Sequence, residues 1–389
     1  MTTAAVPSKG FAGMGIAKSL AVMLPMALLT AVLLMGAGSQ NDPFLWAAFG
    51  IAWFGLNAAF FAMLYTGRTH RVRSTLFILM ALALVYWFMY EVFSARGSNI
   101  VTDAVAIQGG VPFCHLVIPM VIVPAFVTGT VIFPGSLTTG FASIAGMLVL
   151  WLGTTLAIGR GWCSWVCFYG GWDEGFSKVL KKPVINTIPP RWTLFPWAFL
   201  LFIVLTSALT LSPVYCSWFC PFKAVTEYGA VDSITAAVQT VVFVSIFLGL
   251  VVVLPILSQR RIQCGLFCPF GAMQSLTNKV NVFDVRIDTS KCVSCGLCIR
   301  ECPTFSIDED SLKRGRTRIT CTKCGRCIDA CPRKAIAFHI RGTDAGIRPD
   351  LARVLFLYPA FLVFTAVGGR MIAFGIWHLL RFVFTGSMT

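Results

Sequence analysis

Residues 234–257 read ITAAVQTVVFVSIFLGLVVVLPIL, and the basic pair Arg260 and Arg261 follows at once. The stretch carries no charged residue and exceeds the about 20 residues that a helix needs to cross a bilayer core. In lipid such a segment satisfies its own backbone only as a helix, so its reading decides the fold class. Working outward, further runs of this kind occur at 20–37, 44–65, 76–93, 137–158 and 192–211. The whole chain of 389 residues is 57% hydrophobic and only 12% charged, where soluble domains carry about 25% charge. That composition excludes a single soluble globular enzyme and predicts a polytopic membrane protein embedded in the lipid bilayer.

Two stretches are less regular. Residues 112–134 are apolar but interrupted by Pro119 and Pro124, which predicts either a kinked span or a segment that dips in and returns. The tail, 354–385, holds one run and then a second broken by Gly368, Gly369 and Arg370, which reads as one crossing followed by an interfacial helix, with a tight hairpin as the alternative. About seven or eight spans are expected in all. The first run, after Lys9 and Lys18, has signal-peptide features, but no polar domain follows it, so a retained helix is the better reading. The organisation expected is a membrane helical domain over 1–257, a polar segment over 258–350 and a C-terminal membrane or interfacial helix over 351–389.

The net charge of +15 would suggest nucleic acid in a soluble protein, but here the bases sit in loops between spans. Arg68, Arg71 and Arg73, then Lys178, Lys181 and Lys182, then Arg260 and Arg261 mark three loops as cytoplasmic by the positive-inside rule. The loops around Gln40 and Asp42 and over 214–233 face the other way. This parity closes only if the proline-broken segment does not fully cross. A bacterial cytoplasmic (inner) membrane follows, with the polar segment in the cytoplasm and no nucleic-acid partner.

That polar segment contains Cys292, Cys295, Cys298, Cys302 and Pro303, then Cys321, Cys324, Cys327, Cys331 and Pro332. Each group is C-x2-C-x2-C-x3-C-P, the bacterial ferredoxin run, in which the fourth cysteine ligates the other cluster of a pair. One [4Fe-4S] cluster is therefore assigned to Cys292, Cys295, Cys298 and Cys331, and a second to Cys321, Cys324, Cys327 and Cys302. Zinc also uses C-x2-C pairs, but it gives no reason for the duplicated third spacing or the trailing prolines. The expected unit is a small α+β two-cluster ferredoxin domain with its core over 283–340.

A second pattern recurs just after hydrophobic helices. Cys163 and Cys167, Cys216 and Cys220, and Cys264 and Cys268 each form C-x3-C in aromatic surroundings. On a helix, positions i and i+4 share a face, so two pairs supply four thiolates. By topology Cys163, Cys167, Cys264 and Cys268 lie on the ferredoxin side and are the candidates for an additional cysteine-ligated site. Cys216 and Cys220 are expected near the opposite surface, close to Cys114 and His115, where a mixed site or a disulfide are alternatives.

Haem is poorly supported. The histidines are His70, His115, His339 and His378, there is no C-x-x-C-H for a c-type haem, and only His115 and His378 form a couple for a b-type one. Among ionisable groups near the spans, Glu91, Asp173, Glu174, Arg370 and His378 are functional candidates, with Glu91 or the Asp173–Glu174 pair as the proton acceptor that quinol oxidation needs. Lying near helix ends, they read first as markers of the headgroup boundary. Trp162, Trp165, Trp172 and Trp218 read first as interfacial belt residues. Arg314, Arg316, Arg318, Lys323 and Arg326 read as a basic face beside the second cluster, serving either an acidic partner or solvation.

Over roughly 137–340 the helices, the Cys264–Cys268–Pro269 motif and the eight ferredoxin cysteines resemble the NosR/NapH-type membrane polyferredoxins. The resemblance implies electron transfer between the quinone pool and a redox partner protein or subunit. The sequence departs from that pattern in having Phe168 in place of proline and three C-x3-C pairs where two are usual. No flavin-attachment sequence is present, so covalent flavin is not expected. The rival reading, from another class, is an iron–sulfur maturation, assembly or redox-sensing factor for a metalloenzyme.

Overall fold

The computed structural model describes residues 13–35, 42–96, 114–132, 138, 143–226, 231, 233–343 and 349–386, with backbone alone at 87–96 and 225–226. Among them six helical stretches are long and apolar enough to cross a membrane: Ile16–Met35, Pro43–Thr66, Ile144–Trp165, Pro190–Thr210, Ile234–Ser258 and Pro349–Thr385. The first two are α1 and α2. The third apolar run lies in α3, Thr69–Arg96, a helix of 28 residues whose first turns carry His70 and Arg73. Local sequence sets the ends. Asp42 caps α2 by accepting the Phe44 N–H at 2.8 Å, and Pro43 opens the helix where its missing donor is harmless.

The proline-broken segment forms a short turn, His115–Val117, leading into Ile118–Thr128, a helix of 11 residues. At 1.5 Å per residue this falls short of the about 30 Å of a bilayer core. Arg73 donates to Glu174, Glu174 pairs with Lys178, and Arg260 and Arg261 bond to the Cys302 and Cys163 carbonyls. The three basic loops therefore meet on one side, against the ferredoxin-like unit.

The tail corrects the expectation of a crossing followed by an interfacial helix. Pro349–Thr385 is one helical stretch of 37 residues, passing through a π turn at Thr365–Gly369. Gly368 and Gly369 do not break it. They are contact points, since a Cβ on Gly368 would meet Met80 Sδ at 2.5 Å and one on Gly369 would meet Leu56 at 3.1 Å. Arg370 is satisfied by the Leu33 carbonyl at 3.0 Å. The helix begins against the polar unit, where Phe356 stacks on Phe338 with ring centroids 4.3 Å apart.

The polar unit is built on two antiparallel strands, β1 Phe283–Ile287 and β2 Ile336–Ile340, with Phe283 opposite Ile340 and Ile287 opposite Ile336. Alternate residues Phe283, Val285 and Ile287 are buried, as the period of a half-covered strand requires. Short helices Leu297–Glu301 and Arg326–Ala330 pack together beside the sheet.

Candidate iron–sulfur centres

The two ferredoxin motifs are folded alike. Ser294 and Lys323 both hold positive φ, 51° and 52°, and Gly296 and Gly325 follow at 69° and 80°. Such backbone is costly for a side chain with a Cβ and easy only for glycine, so it coils each loop tightly. Cys302 and Cys331 then stand in extended backbone, ψ 111° and 113°, before Pro303 and Pro332. Each accepts at Sγ the N–H four residues on, Ser306 at 3.1 Å and Ala335 at 3.3 Å.

Cys292, Cys295 and Cys298 line one cavity together with Cys331. Cys321, Cys324 and Cys327 each lie within electrostatic range of Cys302. The structure thus brings together the two crossed sets. Burial pushes the Cys298 and Cys321 thiols up to about 11, so a bound cation, not the apoprotein, favours the thiolates there. The loops face different ways. Cys295 is exposed, whereas Cys324 is buried and its carbonyl accepts Arg73 Nε at 3.2 Å. Asp329 accepts the His70 N–H at 2.9 Å, which seats the second loop on α3.

Below that loop, Cys163, Cys167, Cys264 and Cys268 line another cavity, with Tyr169 and Tyr215 in its wall. All four cysteines are buried. The pairs do not lie on one helical face, as i and i+4 would suggest. Each motif makes one wide turn, closed by Cys167 N–H to the Trp162 carbonyl at 3.1 Å and Cys268 N–H to the Gln263 carbonyl at 2.8 Å. The second cysteine then stands extended, ψ 111° at Cys167 and 117° at Cys268. Proline enforces that conformation on the residue before it. Cys167 adopts it ahead of Phe168 without that help.

The sulfurs are provided with polar neighbours. Arg261 Nη2 donates to Cys264 Sγ at 3.1 Å, Gly271 N–H to Cys268 Sγ at 3.4 Å, and His115 Nε2 lies 3.2 Å from Cys167 Sγ. Four thiols around one cavity with donors aimed at sulfur suit an iron–sulfur cluster, whose stability and potential depend on such bonds. His115 thus belongs to this group, while His378 sits beside Tyr86 and Trp377.

Three buried arginines brace this site, and two of them, Arg73 and Arg160, tie it to the second ferredoxin loop. Arg160 donates to the Cys264 carbonyl at 3.0 Å and the Thr320 carbonyl at 2.6 Å. Arg261 donates to the Cys163 carbonyl at 2.6 Å. Arg73 reaches the Ser164 carbonyl at 2.5 Å as well as that of Cys324. Glu174 answers their charge, 2.5 Å from Arg73 and 4.0 Å from Arg261. Burial alone would raise its carboxyl, but Arg73, Arg261 and Lys178 hold it well below the usual carboxylate range. Its neighbour Asp173 accepts the Cys264 N–H at 2.9 Å, and burial pushes its carboxyl up to about 7.

Several expectations are corrected here. Asp173 and Glu174 do not mark a headgroup boundary; they are buried because the short helix Phe168–Phe176 is covered by α3 and by the loop carrying Arg261. Trp162, Trp165 and Trp172 are buried packing residues instead of an interfacial belt. Lys323 is buried and bonds Asn278, and Arg326 pairs with Glu301 at 2.7 Å, so only Arg314, Arg316 and Arg318 of the proposed basic face are exposed. The side chain of Glu91 lies outside the described residues. Cys216 and Cys220 are not at the opposite surface. Residues after Pro213 fold back along the preceding helix, with Phe219 5.2 Å from Phe199, and Cys220 Sγ comes 3.2 Å from Tyr169 Oη.

The arginines were missed as functional residues, yet the sequence carries a signal for two of them. Arg160 and Arg261 each stand three residues before the first cysteine of a pair, and Gly170 and Gly271 three residues after the second.

Comparison with known proteins agrees with this geometry. A 4Fe-4S dicluster domain matches residues 284–332. A 4Fe-4S binding domain matches three times, over 139–185, 192–231 and 240–287, one match for each C-x3-C pair. The chain is 24% identical over 248 residues to "Putative electron transport protein YccM" of Escherichia coli (strain K12). That match covers 62% of this chain and 65% of the relative, so the chain accounts for just under two thirds of the relative's length. No solved structure matches. With its apolar helices, the protein is a membrane protein bearing iron–sulfur binding domains.

Proposed function

We propose that this protein is a one-electron conduit of the bacterial cytoplasmic membrane, working between quinol and a soluble or subunit redox partner. The observation that carries the reading is the cavity shared by Cys163, Cys167, Cys264 and Cys268, tied through Arg73 and Arg160 to the loop of Cys321 and Cys324. The ligand sets are Cys292, Cys295, Cys298 and Cys331; Cys321, Cys324, Cys327 and Cys302; and Cys163, Cys167, Cys264 and Cys268. Bound [4Fe-4S] clusters supply reversible one-electron chemistry at potentials set by burial and hydrogen bonds. The chain's part is to supply thiolates, exclude water and fix charge. The exposed Cys295 loop offers a contact for the redox partner, and the buried site offers an approach from the bilayer. The three basic loops favour the cytoplasm for the ferredoxin-like unit. The resemblance to NosR/NapH-type proteins supports quinol as the membrane-side reactant.

The test is electron paramagnetic resonance on anaerobically purified protein, reduced first by a quinol analogue and then by dithionite. A fraction of the iron–sulfur signal developing with quinol is expected. Reduction by dithionite alone would contradict the quinol-linked role.

A further inference from the structure

The middle pair is the part of the threefold repeat that the function above leaves unused, and it departs where the other two agree. Pro213 and Lys223 occupy the positions held elsewhere by Arg160 and Arg261 and by Gly170 and Gly271. It therefore lacks the devices that join the first and third motifs. Yet Cys220 keeps the same extended backbone, φ −78° and ψ 111°, and the 4Fe-4S binding domain matches 192–231 in its own right.

The surroundings point to a ligand. Cys220 is buried with its Sγ against the Tyr169 hydroxyl, and Cys114 lies within electrostatic range of it. The Tyr215 hydroxyl is fully buried without a hydrogen-bond partner, and Cys114, Cys216, Cys220 and Cys268 all lie within its electrostatic range. A buried hydroxyl left without a partner is unfavourable, and an acceptor placed among these thiols would remove that cost. Sulfide of a cluster is such an acceptor.

We propose that Cys114, Cys216 and Cys220 hold a further iron–sulfur cluster through three thiolates, with the Tyr169 and Tyr215 hydroxyls directed at its sulfur. Tyr215 also lines the cavity of Cys163 and Cys264, so it stands between the two centres. This goes beyond the function proposed above and does not require ligation by Cys163, Cys167, Cys264 or Cys268.

The experiment compares iron and acid-labile sulfide per chain in anaerobically purified full-length protein and in Cys216→Ser/Cys220→Ser and Cys114→Ser variants. Each variant is expected to lose about three to four irons while the ferredoxin signals and the signal dependent on Cys264 persist. Unchanged iron overturns the proposal. So does recovery of a Cys216–Cys220 disulfide from the wild-type protein denatured without reductant. Should the cysteine variants fail to assemble, Tyr215→Phe keeps every thiol. It is expected to retain full iron and to shift the midpoint of the signal that persists in Cys264→Ser/Cys268→Ser and is not one of the ferredoxin pair, at least threefold in reduction equilibrium. No shift in that signal, or its absence, overturns the proposal.

Discussion

Arg160 and Arg261 reach across one site in opposite senses. Arg160, three residues before Cys163, bonds the Cys264 carbonyl, and Arg261, three residues before Cys264, bonds the Cys163 carbonyl. Both are 2% exposed or less. The first and third motifs are thereby locked into one approximately twofold unit, in which each motif holds the other's first cysteine by its backbone.

The glycines of that unit test it. A Cβ at Gly170 would overlap Arg261 Nη2 and the Cys163 carbonyl, whereas one at Gly271 would approach Cys264 O at 3.2 Å and one at Gly175 nothing nearer than 3.7 Å. Gly170→Ala is expected to remove the iron bound by the four cysteines and to keep the ferredoxin signals. Gly271→Ala should weaken retention less, and Gly175→Ala should match wild type. Equal iron in all three variants would contradict the lock.

Glu174 compensates the buried arginines, so Glu174→Gln leaves Arg73 and Arg261 without their anion. Removing one partner of a buried ion pair typically costs about 3–5 kcal/mol; with its remaining hydrogen bonds, the amide is expected to cost about 3 kcal/mol. A marked fall in the thermal midpoint of the detergent-solubilised protein checks this, and an unaltered midpoint would refute it.

The same carboxylate predicts a pH dependence. Its folded pKa lies below the unfolded value of about 4.3, so its contribution is fully present above that value. It is lost as pH falls through the lower folded value. Between pH 8 and 5, the stability attributable to Glu174, measured as wild type minus Glu174→Gln, should stay flat. It should shrink on acidification below about pH 4. A difference that changes between pH 8 and 5 would show that another group carries the charge.

Cys167 stands in extended backbone before Phe168 just as Cys268 does before Pro269. Proline at this position is therefore a convenience of the unfolded chain and not a requirement of the site. Pro269→Ala should retain full iron and cost less than about 1 kcal/mol. Loss of iron in this variant would show that Cys268 depends on its proline.

Much of this architecture is legible in the sequence. The apolar runs locate the long helices, with ends displaced by up to seven residues at Thr69–Arg96 and Ile144–Trp165, because lipid leaves the backbone one solution over such lengths. The ferredoxin sets follow from spacing, because a coiled loop admits few ways of wrapping a cubane. The grouping of Cys163 and Cys167 with Cys264 and Cys268 follows from counting crossings. What stays hidden depends on tertiary return. Hydropathy does not show that the chain after Pro213 folds back beside Phe199, so Cys220 looks like a surface residue of the far side. Nor does it show that α3 and the Arg261 loop cover Asp173 and Glu174, which seem to lie at a helix end. Gly368 and Gly369 read as breakers until Met80 and Leu56 are seen to pack on them.

The most direct test of the central claim is the iron and acid-labile sulfide content of Cys264→Ser/Cys268→Ser against wild type, with the ferredoxin resonance signals as internal control. The account predicts a loss of about four irons per chain with those signals preserved. An unchanged iron count would mean that the cavity between the two motifs holds no cluster.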